Sequence, residues 1–147
     1  MITSELPHYE PLPIQVAGWV RHDPGKLAII GDRGDLTYAE LAAHMSGIAG
    51  GLLENAVKPG DRVVIAVSHK PDFVGCTLAS MAVGAYAVPT ARYEEDLEAV
   101  IRNVEPRVII ADSGQCDHLQ AVFPACTCVT VDEITLDSRT PLYDPDP

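Results

Sequence analysis

Three polar residues, Ser68-His69-Lys70, directly follow an apolar run that ends at Val67. An apolar run of this kind predicts a buried strand, and open α/β sheets bind ligands outside the carboxyl ends of their strands. The Ser68 hydroxyl and the His69 imidazole can form hydrogen bonds, and an imidazole can also transfer protons. We therefore treat Ser68 and His69 as candidate substrate-binding residues. The alternative is that this stretch is only the loop before Pro71, where the next helix is predicted to begin.

Several well-defined catalytic signatures are absent from the sequence. No GxxxxGK[ST], GxGxxG, GxSxG or HExxH pattern occurs, so the chain has no phosphate loop, dinucleotide fingerprint, nucleophile elbow or zinc-protease motif. The five histidines are scattered, and His44 is interpreted as a surface or boundary residue rather than a ligand. We predict no catalytic residue and no metal site in this chain.

The four cysteines occur at irregular intervals, at Cys76, Cys116, Cys126 and Cys128. This spacing does not match the paired CxxC frame of a zinc site. Cys126 and Cys128 are a candidate metal or redox pair. The alternative is that all four are buried, reduced thiols of a cytosolic protein, which predicts a cytoplasmic location.

Composition narrows the class of protein. Apolar residues make up 47% of the 147 residues, which is enough for the packed core of one ordinary domain. The formal net charge of −11 disfavours attraction to nucleic acid or to anionic lipid. We find no apolar run long enough to span a membrane and no signal peptide at the N-terminus.

Strand-like and helix-like segments alternate along the chain. A capping-box pattern from Thr37 to Glu40 precedes apolar residues at helical spacing, which predicts a helix that ends near Asn55. Strands are predicted to begin near residues 62, 85, 107 and 127, with a helix between each pair. This alternation predicts an α/β fold with a mainly parallel sheet and helices on both faces.

Smaller elements are predicted at both ends of this region. Lys26–Ile30 and Leu36–Tyr38 are interpreted as a small hairpin. Ser113 is expected to cap a short helix that runs to Val122. The acidic, proline-containing stretch from Asp132 to Pro147 is expected to be extended. We therefore divide the chain into an α/β unit at residues 1–131 and a tail at residues 132–147.

The stretch from Leu36 to Pro89 carries an ordered series of motifs: Thr-Tyr-x-Glu-Leu, a helix, Pro-Gly-Asp-x-Val, a strand, a helix and Gly-Ala-x-x-Val-Pro. This series resembles the N-terminal subdomain of the adenylate-forming (AMP-binding) superfamily. That superfamily includes acyl-CoA synthetases, peptide-synthetase adenylation domains and luciferases, and the pattern is most similar to the acyl-CoA synthetases. The resemblance covers roughly residues 10 to 131.

The resemblance implies a parent enzyme that joins a small carboxylic acid to ATP, releases pyrophosphate, and then transfers the acyl group to the thiol of CoA or of carrier-protein phosphopantetheine. In such enzymes the phosphate loop and the catalytic lysine lie downstream of the matching region. ATP, Mg²⁺ and CoA or phosphopantetheine would therefore serve the parent, and the chain alone is expected to be inactive and to bind none of them. Its expected partner is the remainder of the enzyme, and self-association of the isolated chain is expected.

The resemblance also points to two loops that border CoA in the acetyl-CoA synthetase branch. The first is Thr90-Ala91-Arg92, where that branch has glycines close to the CoA adenine and where Arg92 is a candidate phosphate partner. The second is Asp112-Ser113-Gly114-Gln115-Cys116, with Ser113 and Gly114 as its candidate residues, although the arginine of that branch near the position of Cys116 is missing here. The alternative is that both are ordinary surface loops.

A different class of function stays open at this point. The chain is alternatively a non-enzymatic, flavodoxin-like binding or assembly module, or one half of a split enzyme. A downstream Ser/Thr-Gly-Thr-Thr-Gly-x-Pro-Lys stretch, fused or adjacent, would favour the enzyme. Its absence would favour the module.

Overall fold

The computed structural model describes residues 11–32, 34–90 and 94–135 of the chain. Its helices are Leu12–His22 (α1), Tyr38–Glu54 (α2), Lys70–Ala82 (α3), Glu94–Val104 (α4), Ser113–Val122 (α5) and Val131–Ile134 (α6). Its strands are Leu27–Ile29 (β1), Leu36–Thr37 (β2), Arg62–Ala66 (β3), Tyr86–Pro89 (β4), Val108–Ala111 (β5) and Thr127–Val129 (β6). In the described ranges, no helix is long and apolar enough to cross a membrane.

Four of these strands form a parallel sheet in the order β4-β3-β5-β6. Strands β1 and β2 form the predicted antiparallel hairpin. The two central strands are buried on both faces, since Val63 to Ala66 and Val108 to Ala111 are at most 2% exposed. Their β-branched sequences therefore show no alternation, as expected for central parallel strands. The predicted α/β fold class is confirmed.

The helices lie on both faces of the sheet and divide the core in two. On one face, Met45 and Ile48 of α2 belong to a cluster with Ile65 and Ile110 of the sheet. On the other face, Leu97 of α4 and Leu119 of α5 belong to a cluster with Val64 and Ile109. Helix α3 lies on the α2 side, so α3 and α5 leave neighbouring strands on opposite faces.

The start of α2 is fixed by the predicted capping box. The amide of Glu40 donates to the Thr37 hydroxyl at 3.2 Å, and the amide of Thr37 donates to the Glu40 carboxylate at 3.1 Å. These bonds satisfy amides that have no partner inside the helix. Caps of this kind stabilise a helix by about 1 kcal/mol.

The turn before β3 is tied to the turn before β4. Gly60 and Gly84 both adopt positive φ, at 86° and 79°, a conformation in which a side chain would be strained. The amide of Gly60 donates to the carbonyl of Gly84 at 2.9 Å. The Pro59-Gly60 turn therefore aligns the starts of two neighbouring strands.

The two edges of the sheet differ. At β6, the side-chain amide of Gln120 donates to the carbonyl of Cys126 and accepts from the amide of Cys128, both at 2.9 Å. Gln120 thereby occupies backbone groups that another strand would otherwise use. The β4 edge has a neighbouring open groove lined by Pro11, by residues of α3, and by β4 with the turn before it, and its Tyr86 is 67% exposed.

Two local predictions were wrong. Ser113 is the first helical residue of α5, and the cap position belongs to Asp112. Residues 132–134 are not extended, because they belong to α6 and Ile134 is 1% exposed in the core. Thr130 begins this turn by accepting from the amide of Glu133 at 3.2 Å. Residues 136–147 lie outside the described residues, and the boundary at residue 131 stays a prediction.

Candidate functional site

The candidate site lies at the carboxyl edge of the sheet, between β3 and β5. The chain passes from β3 through α3 to β4 in one direction along the sheet, and from β5 through α5 to β6 in the other. The loops that leave β3 and β5 therefore diverge to opposite faces. Such a switch point opens a crevice where open α/β sheets bind their ligands.

A polar bridge spans this crevice. The hydroxyl of Ser68, after β3, donates to Oδ2 of Asp112, after β5, at 2.8 Å. The backbone amide of Ser68 also donates to Oδ1 of Asp112, at 3.4 Å. The predicted residue Ser68 is thus at the switch point, and its partner, Asp112, belongs to the second predicted loop but was not among that loop's candidate residues.

Asp112 could have been found by its position alone, since it is the first residue after the apolar run of β5 and precedes the predicted helix. The interpretation instead singled out Ser113 and Gly114, which are exposed in the first turn of α5. A Cβ added at Gly114 would meet nothing within 4 Å. The structure therefore does not require glycine there for close packing.

A cavity of about 310 Å³ lies beside the bridge and is shared by the loop of the hairpin and the start of α3. Its lining residues are Gly31, Asp32, Gly34, Ser68, His69, Lys70 and Pro71. Both predicted substrate-binding residues, Ser68 and His69, therefore line one cavity. Whether they bind a substrate stays a prediction.

His69 is oriented by Asp72. Nδ1 of His69 lies 3.1 Å from Oδ2 of Asp72, and Nε2 of His44 lies 3.0 Å from the other carboxylate oxygen. With Nδ1 engaged, Nε2 is the ring atom of His69 that can contact a ligand. The two imidazoles hold the Asp72 carboxylate between α2 and α3, which makes His44 a boundary residue, as predicted.

Gly75 makes room for His44 at this contact. A Cβ at Gly75 would lie 2.6 Å from Cδ2 of His44, a distance at which the ring would have to move. The close approach of α2 and α3 is therefore part of what positions Asp72, and through it His69.

The first predicted loop, Thr90-Ala91-Arg92, is only partly described. Thr90 lies on the other side of β3 from Asp112, and both its amide and its hydroxyl donate to the Ile65 carbonyl, at 3.0 and 3.2 Å. Ala91 and Arg92 lie outside the described residues. The structure thus ties Thr90 to the carboxyl end of β3, while the cavity beside Ser68 does not include it.

The described ranges contain no group of three His, Cys, Asp or Glu side chains that would hold a metal ion.

The contact between cysteines in the structure differs from the Cys126–Cys128 pair that the sequence suggested. Sγ of Cys128 lies 3.3 Å from Sγ of Cys116, across the interface of α5 and β6.

Comparison with known proteins gives consistent matches. A family model described as AMP-binding enzyme matches residues 16–146. The hybrid PKS-NRPS synthetase thnA of Trichoderma harzianum is 32% identical, with 94% of this chain and 4% of that protein aligned. A linear gramicidin synthase of Brevibacillus parabrevis is 30% identical, over 82% of this chain and 2% of that protein. The chain thus spans a small fraction of the curated relatives it matches.

Solved structures match over most of the chain. The N-terminal subdomain of Klebsiella oxytoca NpsA, in complex with 3-hydroxybenzoyl-AMSN, has a TM-score of 0.75 and 25% identity, over 92% of this chain and 34% of that one. The fatty acid AMP ligase of Legionella pneumophila has a TM-score of 0.76 and 20% identity, over 97% and 27%. The second likeness shows the fold alone.

Proposed function

The chain belongs to the AMP-binding enzyme family, and on that premise we propose that it forms the first α/β part of a ligase that activates a carboxylic acid by adenylation. The match over residues 16–146 carries this proposal. The likeness to the N-terminal subdomain of NpsA supports the placement within such an enzyme.

The proposed reaction has two steps. A carboxylate oxygen of the acid attacks the α-phosphate of ATP, which gives an acyl-adenylate and releases pyrophosphate. A thiol then attacks the acyl carbon, a thioester forms, and AMP leaves. The sequence contains no phosphate loop motif, so this chain supplies scaffold and loops, and the remainder of the enzyme supplies the groups that hold ATP and Mg²⁺.

The loops at the carboxyl edge are the proposed contribution of this chain to binding. We infer that Ser68 and His69 face the acid or its adenylate, since both line the cavity beside the switch point. Thr90, Ala91, Arg92, Ser113 and Gly114 are proposed to face the thiol donor. The support for this assignment is that Thr90, Ser113 and Gly114 follow strands at the same edge.

The thiol donor is proposed to be the phosphopantetheine of a carrier protein. The two curated relatives named above are a linear gramicidin synthase and a hybrid PKS-NRPS synthetase, and one matching structure is an artificially fused adenylation-PCP di-domain. Free CoA is the alternative donor.

The test begins with the coding sequence that follows Pro147. We expect a Ser/Thr-Gly-Thr-Thr-Gly-x-Pro-Lys stretch in the same or an adjacent reading frame. The full protein, which contains this chain and the product of the following coding sequence, should catalyse ATP–pyrophosphate exchange only when a suitable carboxylic acid is present. Transfer to a carrier protein and to CoA, measured separately, identifies the donor. A natural stop with no such neighbour, or no exchange with a broad panel of acids, would instead support a binding or assembly module.

A further inference from the structure

Three of the four cysteines meet where α5 packs on β6. Cys116 lies in the first half of α5 and is 7% exposed, and Cys128 lies in the middle of β6 and is half-buried. Their sulfur atoms are 3.3 Å apart. Cys126 is half-buried just before β6, while Cys76 belongs to the core cluster on the opposite face of the sheet.

The approach of Cys116 and Cys128 is held by neighbouring bonds rather than by the thiols alone. Gln120, one helical turn after Cys116, donates to the carbonyl of Cys126 and accepts from the amide of Cys128. This two-point clamp fixes the register of β6 against α5. It therefore keeps Cys128, and not Cys126, opposite Cys116.

We propose that Cys116 and Cys128 form a thiol–disulfide exchange site that reacts with small-molecule disulfides of the glutathione type. A sulfur–sulfur bond is about 2.05 Å long, so the two sulfurs must approach each other by a little more than an ångström from their observed separation. Both lie on elements that already pack together.

The exchange balances with one molecule of the oxidised disulfide. The thiolate of Cys128 attacks one sulfur of oxidised glutathione, the glutathione sulfur–sulfur bond breaks, and one glutathione thiolate leaves and takes up a proton. Cys116, after losing its proton to solvent, attacks the sulfur of Cys128 and releases the second glutathione. The protein loses two hydrogen atoms, and one oxidised glutathione becomes two reduced molecules.

Burial keeps both thiols of the pair protonated under ordinary conditions. Desolvation raises the pKa of the Cys116 thiol and the pKa of the Cys128 thiol, and the carboxylate of Glu133 acts in the same direction on both. Because the thiolate is the attacking species, the exchange is best measured at mildly alkaline pH. The pair is then a slow site that responds to sustained oxidation.

The test uses the folded 147-residue chain, oxidised glutathione and mass spectrometry. Free thiols are alkylated after the reaction, and the protein is cut with a protease that cleaves before aspartate. Cleavage before Asp117 separates Cys116 from Cys126 and Cys128, so an internal disulfide survives as two linked peptides. Fragmentation between Cys126 and Cys128 then identifies the linked residue.

We expect the Cys116–Cys128 link to be the main product in the folded wild type and in the Cys126→Ser variant, and dithiothreitol to reverse it. The same reaction in denaturant should spread links among the cysteines, since the Gln120 clamp is lost. A Cys76→Ser variant should behave as wild type. Links that favour Cys126 in the folded chain, or the same product distribution in folded and unfolded chains, would overturn the proposal.

Discussion

The carboxylate of Asp112 accepts a hydrogen bond from the hydroxyl of Ser68, at 2.8 Å, although Asp112 occupies the cap position of α5. An aspartate at this position ordinarily accepts from amides of its own helix. Here the side chain makes no capping bond and reaches across the switch point to the loop after β3. The bond therefore links the two loops that diverge around the candidate site.

The first prediction concerns this bond. We expect a double-mutant cycle of Ser68→Ala and Asp112→Ala to give a coupling free energy of about 0.5–1.5 kcal/mol, the usual net contribution of one hydrogen bond. Denaturant unfolding of the four proteins measures it. Thr90→Val, which removes a hydroxyl bonded to β3 instead, should show no coupling to Asp112→Ala. If the losses of unfolding free energy caused by Ser68→Ala and Asp112→Ala simply added in the double mutant, the bridge would not hold the loops together.

The second prediction concerns Gly51 in α2. A Cβ there would overlap the carbonyl oxygen of Ile134, so Gly51→Ala must displace either α6 or α2. We expect it to lower the free energy of unfolding by about 1–3 kcal/mol, as overpacking does. Gly18→Ala is the matched control, because a Cβ at Gly18 meets nothing within 4 Å. Alanine there should stabilise α1 by up to about 1 kcal/mol. Equal effects at the two glycines would contradict the packing of α6.

Sequence interpretation succeeds for local features of this chain and misses the two long-range contacts just described. The capping box at Thr37 and the apolar runs of β3 and β5 are local signals, because each depends on residues a few positions apart, and all were confirmed. The Ser68–Asp112 bridge joins residues 44 positions apart. The Gly51–Ile134 contact depends on the packing of two helices. Such pairs follow from the order of strands in the sheet, which no local pattern specifies.

The same reasoning explains the cysteines and the tail. The Cys126–Cys128 spacing is visible in the sequence, whereas the Cys116–Cys128 contact exists only once α5 packs on β6. Charge and proline content predicted an extended stretch from Asp132. The apolar Ile134 overrides that preference for one turn, since it is buried beside α2.

The third prediction concerns pH and Glu98. The hydrogen bond from His118 lowers the pKa of the Glu98 carboxyl, and Arg102 adds to the effect. A carboxyl with a lowered pKa in the folded state stabilises the protein above its unfolded pKa, and this contribution is lost as the pH falls through the folded value. The free energy of unfolding of the Glu98→Gln variant should therefore change less with pH in the acidic range than that of the wild type.

Chemical unfolding of both proteins at a series of acidic pH values measures this difference. Glu54→Gln, at the exposed end of α2, is the control for loss of one negative charge. If Glu54→Gln flattened the profile as much as Glu98→Gln, net charge rather than the contact with His118 would explain the result.

The fourth prediction concerns nucleotide binding by the chain itself. Because the sequence has no phosphate loop, we expect isothermal titration calorimetry with ATP and Mg²⁺ to show no saturable heat at micromolar concentrations. The full protein of the proposed function should bind ATP under the same conditions. Saturable binding by the chain alone would require a phosphate site outside the family pattern.

The fifth prediction concerns self-association. Tyr86 on the edge strand β4 is 67% exposed, and Ile30 beside the hairpin is 78% exposed. Open edge strands and exposed apolar side chains favour contact between copies. Sedimentation velocity should show a mass that rises with concentration, and Tyr86→Lys should reduce this rise more than Ile30→Lys. A monomer at all concentrations would contradict the expectation.

The difference between the two sheet edges sets how far such association proceeds. Two copies that pair β4 against β4 form a closed, two-fold arrangement, in which each copy offers the same surface. The outer rims of that pair are the two β6 strands, and Gln120 already occupies their Cys126 carbonyl and Cys128 amide. A single glutamine side chain thus occupies the backbone groups to which a further strand would add, so association through β4 would end in a discrete dimer and not in a fibre.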